Sequence, residues 1–341
     1  MIRLENGDPR WLQFVSACPQ AMPFHHPSWA ALLSECYGYP AFVMVLPEAS
    51  GGVAAGVAVL EIRRAFGGRR WVALPFTDRY EPLLGPDITP SELVTAVERQ
   101  RRSERIASVE VRGALSGADA FTRVRGLQHT LSLVPDLAAI EQGFTESQVR
   151  RNIVKARREG VVVRRAESRE GLVRDFYELH LRTRARQGVP VQPRRFFRLL
   201  WDRMLEPGLG FCLLAYHGQL PIAGAVFLAW NRSVTYKFGA SDRSHLGLRP
   251  NHLVFWEAIS WAAQNGYQAF DFGRTDLDNQ GLRRFKSSWG AVEKPLVYAR
   301  LGSVGNGALT ERLSGALAFC IRRSPPGVCR LVGEALYKYA A

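Results

Sequence analysis

The sequence predicts an α/β (α+β) protein made of two related units, each a mixed twisted sheet with flanking helices. The first observation is a repeated order of elements. A meander of three strands, a helix and a further strand occur in residues 42–111 and again in residues 211–272. The second is the length of 341 residues, which fits two domains of about 170 residues each. The third is a hydrophobic content of 47%, which supports substantial cores and excludes a disordered chain.

The first unit begins with helices and continues as strands. Residues 9–39 are predicted to be helical with one loop, and His25-His26-Pro27-Ser28-Trp29 is typical of a helix start. A turn at residues 65–68 lies within the meander, and a loop rich in turn residues follows it at 75–82. Ser91 is the predicted N-cap of the next helix. Strands are predicted at residues 42–46, 53–62, 70–74 and 108–111.

The second unit repeats this order. Its helix is predicted to begin at Asn251, after Pro250, and to end at Asn265-Gly266, where a glycine suits a left-handed stop. Apolar side chains occupy this helix nearly all round, which predicts that it is buried. Strands are predicted at residues 211–216, 221–230, 234–238 and 269–272.

The chain is strongly basic. Its net charge of +14, from 45 basic and 31 acidic residues, indicates a polyanionic or multiply phosphorylated partner. Nucleic acid, anionic lipid and nucleotide-linked sugars all fit this charge, and a role in solubility alone is the alternative. Composition does not choose among these partners.

The five cysteines are odd in number and include no CxxC pair, which predicts reduced thiols and neither a disulfide framework nor a zinc site. The adjacent histidines at 25 and 26 lack an acidic or cysteine partner at ligand spacing, so no metal is predicted. The first residues lack the apolar core of a signal peptide, and no apolar run reaches the ~18 residues of a spanning helix. We therefore expect a cytoplasmic protein.

Two arginine-rich stretches indicate a surface for anions. Residues 150–165 contain seven basic residues and one acidic residue. Within them Arg151, Lys155 and Arg158 fall on one helical face, roughly opposite to an apolar face. Such a face is a platform for phosphates, since arginine offers two parallel donors to phosphate oxygens, and a solvated helix face is the alternative.

The second stretch, residues 182–198, brackets a loop at 187–193 that contains one glycine and two prolines. Together the two stretches favour a polyanion site. The sequence contains neither a zinc finger nor an RNP sequence, which argues against a reader of duplex DNA.

The tail, residues 309–341, predicts an amphipathic helix followed by a short basic helix. We expect these helices to pack back on the body of the protein. A peripheral contact with the inner face of a membrane is the alternative.

Several enzyme classes are excluded by missing motifs. The sequence has no GxSxG elbow, no P-loop, no HExxH and no GxGxxG after a strand. The nearest candidate for a phosphate cradle is the segment 239–251, which joins a strand to a helix N-terminus and carries Arg243 and Arg249.

A further set of motifs carries a specific resemblance. YKFGASD (residues 236–242), FDFGRT (270–275), FKSSWG (285–290) and the amphipathic segment 151–161 resemble the Fem family, over roughly residues 147–300. The resemblance implies aminoacyl transfer by two tandem GNAT-like domains. Well-known members move an amino acid from aminoacyl-tRNA onto a peptidoglycan precursor, and relatives from exopolysaccharide gene clusters look most similar here. The implied domains are residues 1–142 plus 301–341, and residues 143–300.

The resemblance also assigns roles. Lys286, in the Phe285-Lys286 pair, is implied to stabilise charge on the transferred acyl group, as a fixed cation beside an oxyanion does. A surface lysine in a basic loop is the alternative. Phe285 and Asp271 are the further catalytic candidates, and a structural pair with Arg274 is the alternative for Asp271. Asp78 is expected to order the acceptor amine. The candidate substrate-binding residues are Arg151, Lys155, Arg158, Tyr236, Lys237, Asn251, Arg274, Asp78 and Trp29.

We therefore predict an acyltransferase without a tightly bound cofactor, with aminoacyl-tRNA as donor and the amine of an anionic cell-envelope or polysaccharide precursor as acceptor. An acyl-CoA-dependent N-acyltransferase of GNAT type is the second hypothesis. A non-catalytic binding protein for anionic glycan or lipid intermediates is the third. Gln192 and Phe196 replace a charged residue and a tyrosine of the peptidoglycan-precursor transferases, which argues against a UDP-linked muropeptide as acceptor.

Overall fold

Thirteen strands form one continuous mixed sheet in the computed structural model, which describes residues 1–63, 68–115, 120–303 and 308–340. The strands are β1 Ile2–Glu5, β2 Ala41–Pro47, β3 Val53–Arg63, β4 Arg69–Val72, β5 Leu83–Leu84, β6 Ser108–Val111, β7 Ala120–Ser132, β8 Val161–Arg165, β9 Gly210–His217, β10 Leu220–Trp230, β11 Ser233–Ser241, β12 Ala269–Thr275 and β13 Val292–Gly302. Their order across the sheet is β1-β2-β3-β4-β6-β13-β7-β12-β11-β10-β9-β8, and β5 pairs with β3.

Helices connect these strands. They are α1 Pro9–Ala17, α2 Pro27–Tyr37, α3 Pro90–Ser103, α4 Leu137–Gln142, α5 Gln148–Arg158, α6 Arg169–Gly171, α7 Tyr177–Gln187, α8 Arg194–Leu200, α9 Pro250–Gln264, α10 Gln280–Ser287, α11 Ala308–Arg323 and α12 Pro326–Leu336. Short π-helical turns at Leu172–Phe176 and Trp201–Leu205 extend α6 and α8, and 3-10 turns occupy Pro23–His25, Arg243–Leu248 and Tyr337–Ala340.

The predicted duplication is confirmed by the pairing of the strands. In the first unit β2, β3 and β4 form an antiparallel meander, and β6 returns after α3 to lie parallel to β4. In the second unit β9, β10 and β11 repeat the meander, and β12 returns after α9 to lie parallel to β11. The long antiparallel strands β7 and β13 join the two units at the centre of the sheet. The boundaries of the two domains stay a prediction.

The sheet of the second unit is buried on both faces. Alternate residues of β10 point to opposite sides, as in any strand. Val226 and Leu228 belong to the larger core, which also contains the first unit, α7 and α8. Phe227 and Ala229 belong to a second core formed with α5 and α9. The predicted burial of the second-unit helix is confirmed, and β11 and β12 are held between two packed layers.

Two helices begin differently from the prediction. The N-cap of α3 is Thr89, not Ser91, because Thr89 and Glu92 form a reciprocal capping box before Pro90. α9 begins at Pro250, not at Asn251, since proline is favoured in the first turn of a helix. The turn predicted at residues 65–68 lies outside the described residues apart from Gly68.

The cationic segment after β12 is a helix and not the basic loop that the alternative for Lys286 requires. It forms α10, whose N-cap Asn279 accepts a hydrogen bond from the backbone N–H of Leu282. A helix gives Lys286 a fixed direction, which a loop would not.

The tail packs back on the body, as predicted. α11 and α12 both contact α7. Gly333 lies against the carbonyl of Val191, and the Cys329 thiol donates to the Val189 carbonyl at 3.4 Å. The Tyr39 hydroxyl donates to the Lys338 carbonyl at 2.7 Å. Among the described residues, no helix is both long and apolar enough to cross a membrane.

The close approach at Gly333 generates a stability prediction. A Cβ there would lie 1.9 Å from the Val191 oxygen, so Gly333→Ala must push α12 away from the body. We expect a loss of about 1–3 kcal/mol in the free energy of unfolding, measured by urea denaturation. Gly327→Ala in the same helix is the matched control, because nothing lies within 4 Å of its Cβ position. Equal unfolding midpoints for the two variants would contradict this packing.

Candidate functional site

A cavity of ≈ 240 Å³ opens where β11 and β12 separate. The two strands pair in parallel only from Ser233 to Thr235 on β11 and from Ala269 to Asp271 on β12. The lining includes Tyr236, Asn251, Phe285 and Lys286 of the motif segments and Phe255 of α9, together with residues of β10 and α7. The structure thus brings together four of the residues singled out from the sequence.

One β-bulge on β11 turns two neighbouring side chains in different directions. Val226 of β10 pairs with Phe238 and Phe227 pairs with Tyr236, so Lys237 is the extra residue. Tyr236 faces the cavity. Lys237 instead donates from Nζ to the Phe76 carbonyl at 2.7 Å and lies 3.5 Å from the Asp78 carboxylate, both in the first unit.

The position of the Tyr236 hydroxyl depends on Gly239, three residues further along β11. A Cβ at Gly239 would lie 2.0 Å from the Tyr236 hydroxyl oxygen, so any larger residue would displace the phenol ring. Burial raises the pKa of Tyr236 to about 12, which keeps the hydroxyl protonated and able to donate at neutral pH.

A second bulge lies on β12. Asp271 pairs with Thr130 and Arg274 with Gln128, so β12 has one more residue than β7 across this interval. Gly273 adopts φ = 68°, which glycine allows at little cost, and its N–H donates to the Asp271 carboxylate at 2.8 Å. The bulge releases backbone carbonyls from the ladder and directs two of them at α10.

Those carbonyls hold Lys286. Its Nζ donates to the Gly273 oxygen at 2.8 Å and to the Arg274 oxygen at 3.0 Å, and the side chain is only 1% exposed. The alternative of a surface lysine in a loop is therefore wrong. An ammonium has three N–H donors, which leaves one for the cavity that Lys286 lines. Burial lowers its pKa to about 8, although Asp271 and Asp78 favour the charged form.

Aromatic rings fix α10 in place. The Phe285 ring lies edge-on to His252 at 5.2 Å and to Phe255 at 5.4 Å between centroids. Trp289 is fully buried at the end of α10, 6.1 Å from Phe285. Lys286 is therefore carried by a helix with little freedom to move.

Asp271 is a buried carboxylate with two donors. It accepts from the Gly273 N–H and from the Gln128 side chain at 3.0 Å, and burial raises its pKa. The alternative of a structural Asp271–Arg274 pair is wrong, because Arg274 binds Asp276 at the rim. Asp271 shapes the bulge and contributes negative charge beside Lys286.

Asp78 and its loop belong to the first unit and lie on the side of the site that faces it; we call them the Asp78 wall. Its side chain is 30% exposed, and it approaches Lys237 at 3.5 Å. The Tyr298 hydroxyl donates to the Asp78 carbonyl at 2.8 Å. Trp29 is fully buried and donates from Nε1 to the Thr77 hydroxyl at 2.8 Å, so it belongs to the framework of this loop and presents no surface to a substrate.

The basic face of α5 is separate from the cavity. Arg151 and Arg158 are exposed and Lys155 is half-buried, while the opposite apolar face packs toward α9. A hydrogen bond of 3.0 Å between Asn152 and His252 connects α5 to the first turn of α9. The structure therefore places the basic surface behind the helix that lines the cavity.

Two residues near the site carried no sequence signal. Gln128 and Tyr298 lie on the central strands β7 and β13, outside every motif. Arg186, from the second basic stretch, lines the cavity. By contrast, Gln192 is buried against His180 at 3.0 Å and Phe196 is buried in the core. Among the described residues, no group of three or more histidine, cysteine or acidic side chains is placed to hold a metal ion.

Comparisons with known proteins agree with this geometry. Residues 144–287, which include both bulges and Lys286, match a family model described as an acetyltransferase (GNAT) domain. A protein named Lipid II:glycine glycyltransferase, from Staphylococcus haemolyticus, is 32% identical over 85 residues. These residues are 23% of this chain and 20% of that protein, so the match spans about a fifth of the relative.

Two solved structures share the fold. The crystal structure of FemX matches with a TM-score of 0.70 at 14% identity, covering 92% of this chain and 100% of that one. A tandem GNAT protein from the clavulanic acid biosynthesis pathway matches with a TM-score of 0.51 at 11% identity, covering 89% and 99%. The predicted α/β fold of two GNAT-like units is confirmed, as is the resemblance to the Fem family.

The buried ammonium predicts a pH dependence of stability. Burial lowers the pKa of Lys286 from 10.5 to about 8 in the folded protein. Between these values the unfolded chain binds more protons than the native one, so the free energy of unfolding rises with pH. We expect wild type to gain up to about 1.4 kcal/mol per pH unit relative to Lys286→Met in this window. Chemical denaturation at a series of pH values measures this gain, and parallel curves would refute the depressed pKa.

Proposed function

We propose that this protein is an acyltransferase that moves an aminoacyl group from aminoacyl-tRNA onto the amine of a cell-envelope or polysaccharide precursor. The observation that carries the proposal is the Lys286 ammonium, fixed by two backbone carbonyls at the end of a small cavity. The match to a GNAT domain and the likeness to a glycyltransferase support it. The protein would act in the cytoplasm, where charged tRNA is found, without a tightly bound cofactor.

The cavity suits a small acyl group. Its volume of ≈ 240 Å³ lies below the ~300 Å³ at which pockets begin to hold drug-sized ligands. The walls are mostly apolar, with Tyr236, Asn251 and Lys286 as polar groups at defined positions. An aminoacyl group fits this combination of size and polarity.

The chemistry follows from the free N–H of Lys286. The acceptor amine attacks the ester carbon of the donor and forms a tetrahedral intermediate with a negatively charged oxygen. Lys286 stabilises this oxygen, and the Tyr236 hydroxyl is a second donor within the same cavity. The C–N bond is formed in this attack. When the intermediate collapses, the carbonyl is restored, the ester C–O bond breaks, and one proton from the amine nitrogen leaves on the ribose oxygen.

The acceptor would enter from the first unit. Asp78 is a partly exposed carboxylate on that side, and it is suited to orient the acceptor amine by accepting a hydrogen bond from one of its N–H groups. Lys237 limits its freedom by holding the loop through the Phe76 carbonyl. The donor and acceptor would thus meet between the two units, where the sheet connects them.

The donor nucleic acid would lie along α5. Arg151 and Arg158 are exposed there, and no ion pair with a distant element occupies them within the described residues. Phosphate contacts of this kind weaken steeply as salt increases. The face is connected to the cavity through Asn152, His252 and Phe285.

Acyl-CoA is the second candidate donor, because the matching family model is described as an acetyltransferase domain. Incubating the protein with radiolabelled aminoacyl-tRNA and with acyl-CoA in parallel, in a cell extract, separates the two. Consumption of acyl-CoA alone would replace the proposed donor. Consumption of neither would favour a binding protein for anionic glycan or lipid intermediates.

The role of Lys286 predicts a specific loss of activity. Lys286→Met removes the donor to the oxyanion, and we expect transfer to fall about 10²–10³-fold while donor binding is retained. Lys294→Met is the matched control, since Lys294 is exposed on β13. Transfer rates are measured with saturating labelled donor. A variant with wild-type transfer would exclude charge stabilisation by this lysine.

The basic face predicts a change in tRNA binding. Arg151→Glu with Arg158→Glu should weaken binding at least tenfold and reduce the slope of log affinity against log salt. Arg99→Glu, an exposed arginine on α3, is the control. Filter binding at several salt concentrations gives both quantities. Unchanged affinity in the double variant would move the nucleic acid to another surface.

A further inference from the structure

The tail helices present apolar side chains to solvent as well as to the body. α12 packs Cys329 and Gly333 inward on the Val189–Val191 segment. Val328, Leu331 and Leu336 of the same helix are exposed, Leu331 by 62%. A helix that is apolar on both sides and packed on one side only has an unpartnered face.

Two further large apolar side chains of the tail are exposed. Phe319 on α11 is 53% exposed, and Tyr339, after α12, is 70% exposed. Because α11 and α12 both pack on α7, their exposed sides point away from the same support. We call the five side chains the tail patch: Phe319, Val328, Leu331, Leu336 and Tyr339.

Cations are placed among the rings of the tail patch. The Arg323 guanidinium lies over the Phe319 ring at 4.3 Å, and the Lys338 Nζ lies over the Tyr339 ring at 4.9 Å. Neither cation pairs with a carboxylate in the part of the chain that the structure describes. Glu334 is the only acidic residue from Leu317 to Tyr339, a span that holds four basic residues.

Two exposed arginines of α5 differ from the cations of the tail patch. Arg150 pairs with Glu141 at 3.0 Å, and Arg157 pairs with Glu257 at the same distance. The tail patch therefore combines exposed apolar side chains, aromatic rings and uncompensated positive charge. Helices that lie at the surface of anionic bilayers have this composition.

The tail patch is attached to the acceptor side of the cleft. The Tyr337 ring, between Leu336 and Lys338, lies 5.0 Å from the Phe76 ring and 6.1 Å from the Tyr37 ring. The Phe76 carbonyl in turn receives the Lys237 ammonium beside Asp78. Few contacts separate the exposed tail from this wall.

We propose that the tail patch binds the surface of a bilayer of anionic phospholipid, with its apolar side chains at the acyl boundary and its cations on the headgroups. This binding goes beyond the proposed reaction and does not depend on it. Only its purpose, to hold the Asp78 wall near an acceptor that reaches the membrane surface, rests on the proposed function.

Vesicle co-sedimentation tests the proposal. The full-length protein should bind vesicles of phosphatidylglycerol and phosphatidylcholine, and should bind pure phosphatidylcholine at least tenfold more weakly. Phe319→Ser with Leu331→Ser should weaken binding to the mixed vesicles at least tenfold. Val162→Ser with Leu220→Ser, two exposed apolar residues of the second unit, should leave binding unchanged. Far-UV circular dichroism checks that both variants fold.

A second variant separates charge from apolar contact. Arg323→Glu with Lys338→Glu should abolish the preference for anionic vesicles. The proposal is overturned if wild type does not bind anionic vesicles at low salt, or if both serine variants lose binding equally. It is also overturned if the patch variants change only the sedimentation coefficient of the free protein, since the patch would then join two copies of this chain. Transfer to a soluble acceptor is unaffected by any of these outcomes, so failure here differs from failure of the proposed function.

Discussion

The site depends on one interaction, the seat of the Lys286 ammonium on the carbonyls of Gly273 and Arg274. Those carbonyls are available only because β12 carries one extra residue where it pairs with β7. A regular strand would direct them at a neighbouring strand, and the buried ammonium would lack partners at a cost of several kcal/mol. The bulge, Gly273 in its left-handed conformation and Lys286 therefore depend on one another.

The neighbouring strand β11 also has a β-bulge, and there the extra residue determines where two side chains point. The extra residue at Lys237 lets consecutive side chains of β11 serve two units, with Tyr236 in the cavity and Lys237 on the Asp78 loop. The matched GNAT domain of residues 144–287 contains both bulges but not Asp78. The proposed acceptor side of the cleft therefore belongs to the first unit, which lies outside the matched region.

Much of this arrangement could be predicted from the sequence. The repeated meander gave the two units, because strand and turn patterns are local, and the motifs led to Lys286 and Tyr236. The bulges could not be predicted, since register depends on partners far away in the chain. Gln128 and Tyr298 contact Asp271 and Asp78 because of their positions on the central strands. Residue type alone does not reveal such contacts. Trp29 was predicted to bind substrate but is buried. The sequence alone does not distinguish a tryptophan in the core from one that faces a ligand.

The central position of β13 has a consequence for folding. This strand lies between β6 and β7, and Arg300 pairs with Glu110 from 190 residues earlier in the chain. During synthesis the edge of β6 therefore has no β13 to pair with until the second unit is nearly complete. Pairings of such long range form slowly, and an open edge invites wrong partners. We therefore expect closure of the sheet to be one of the last steps of folding.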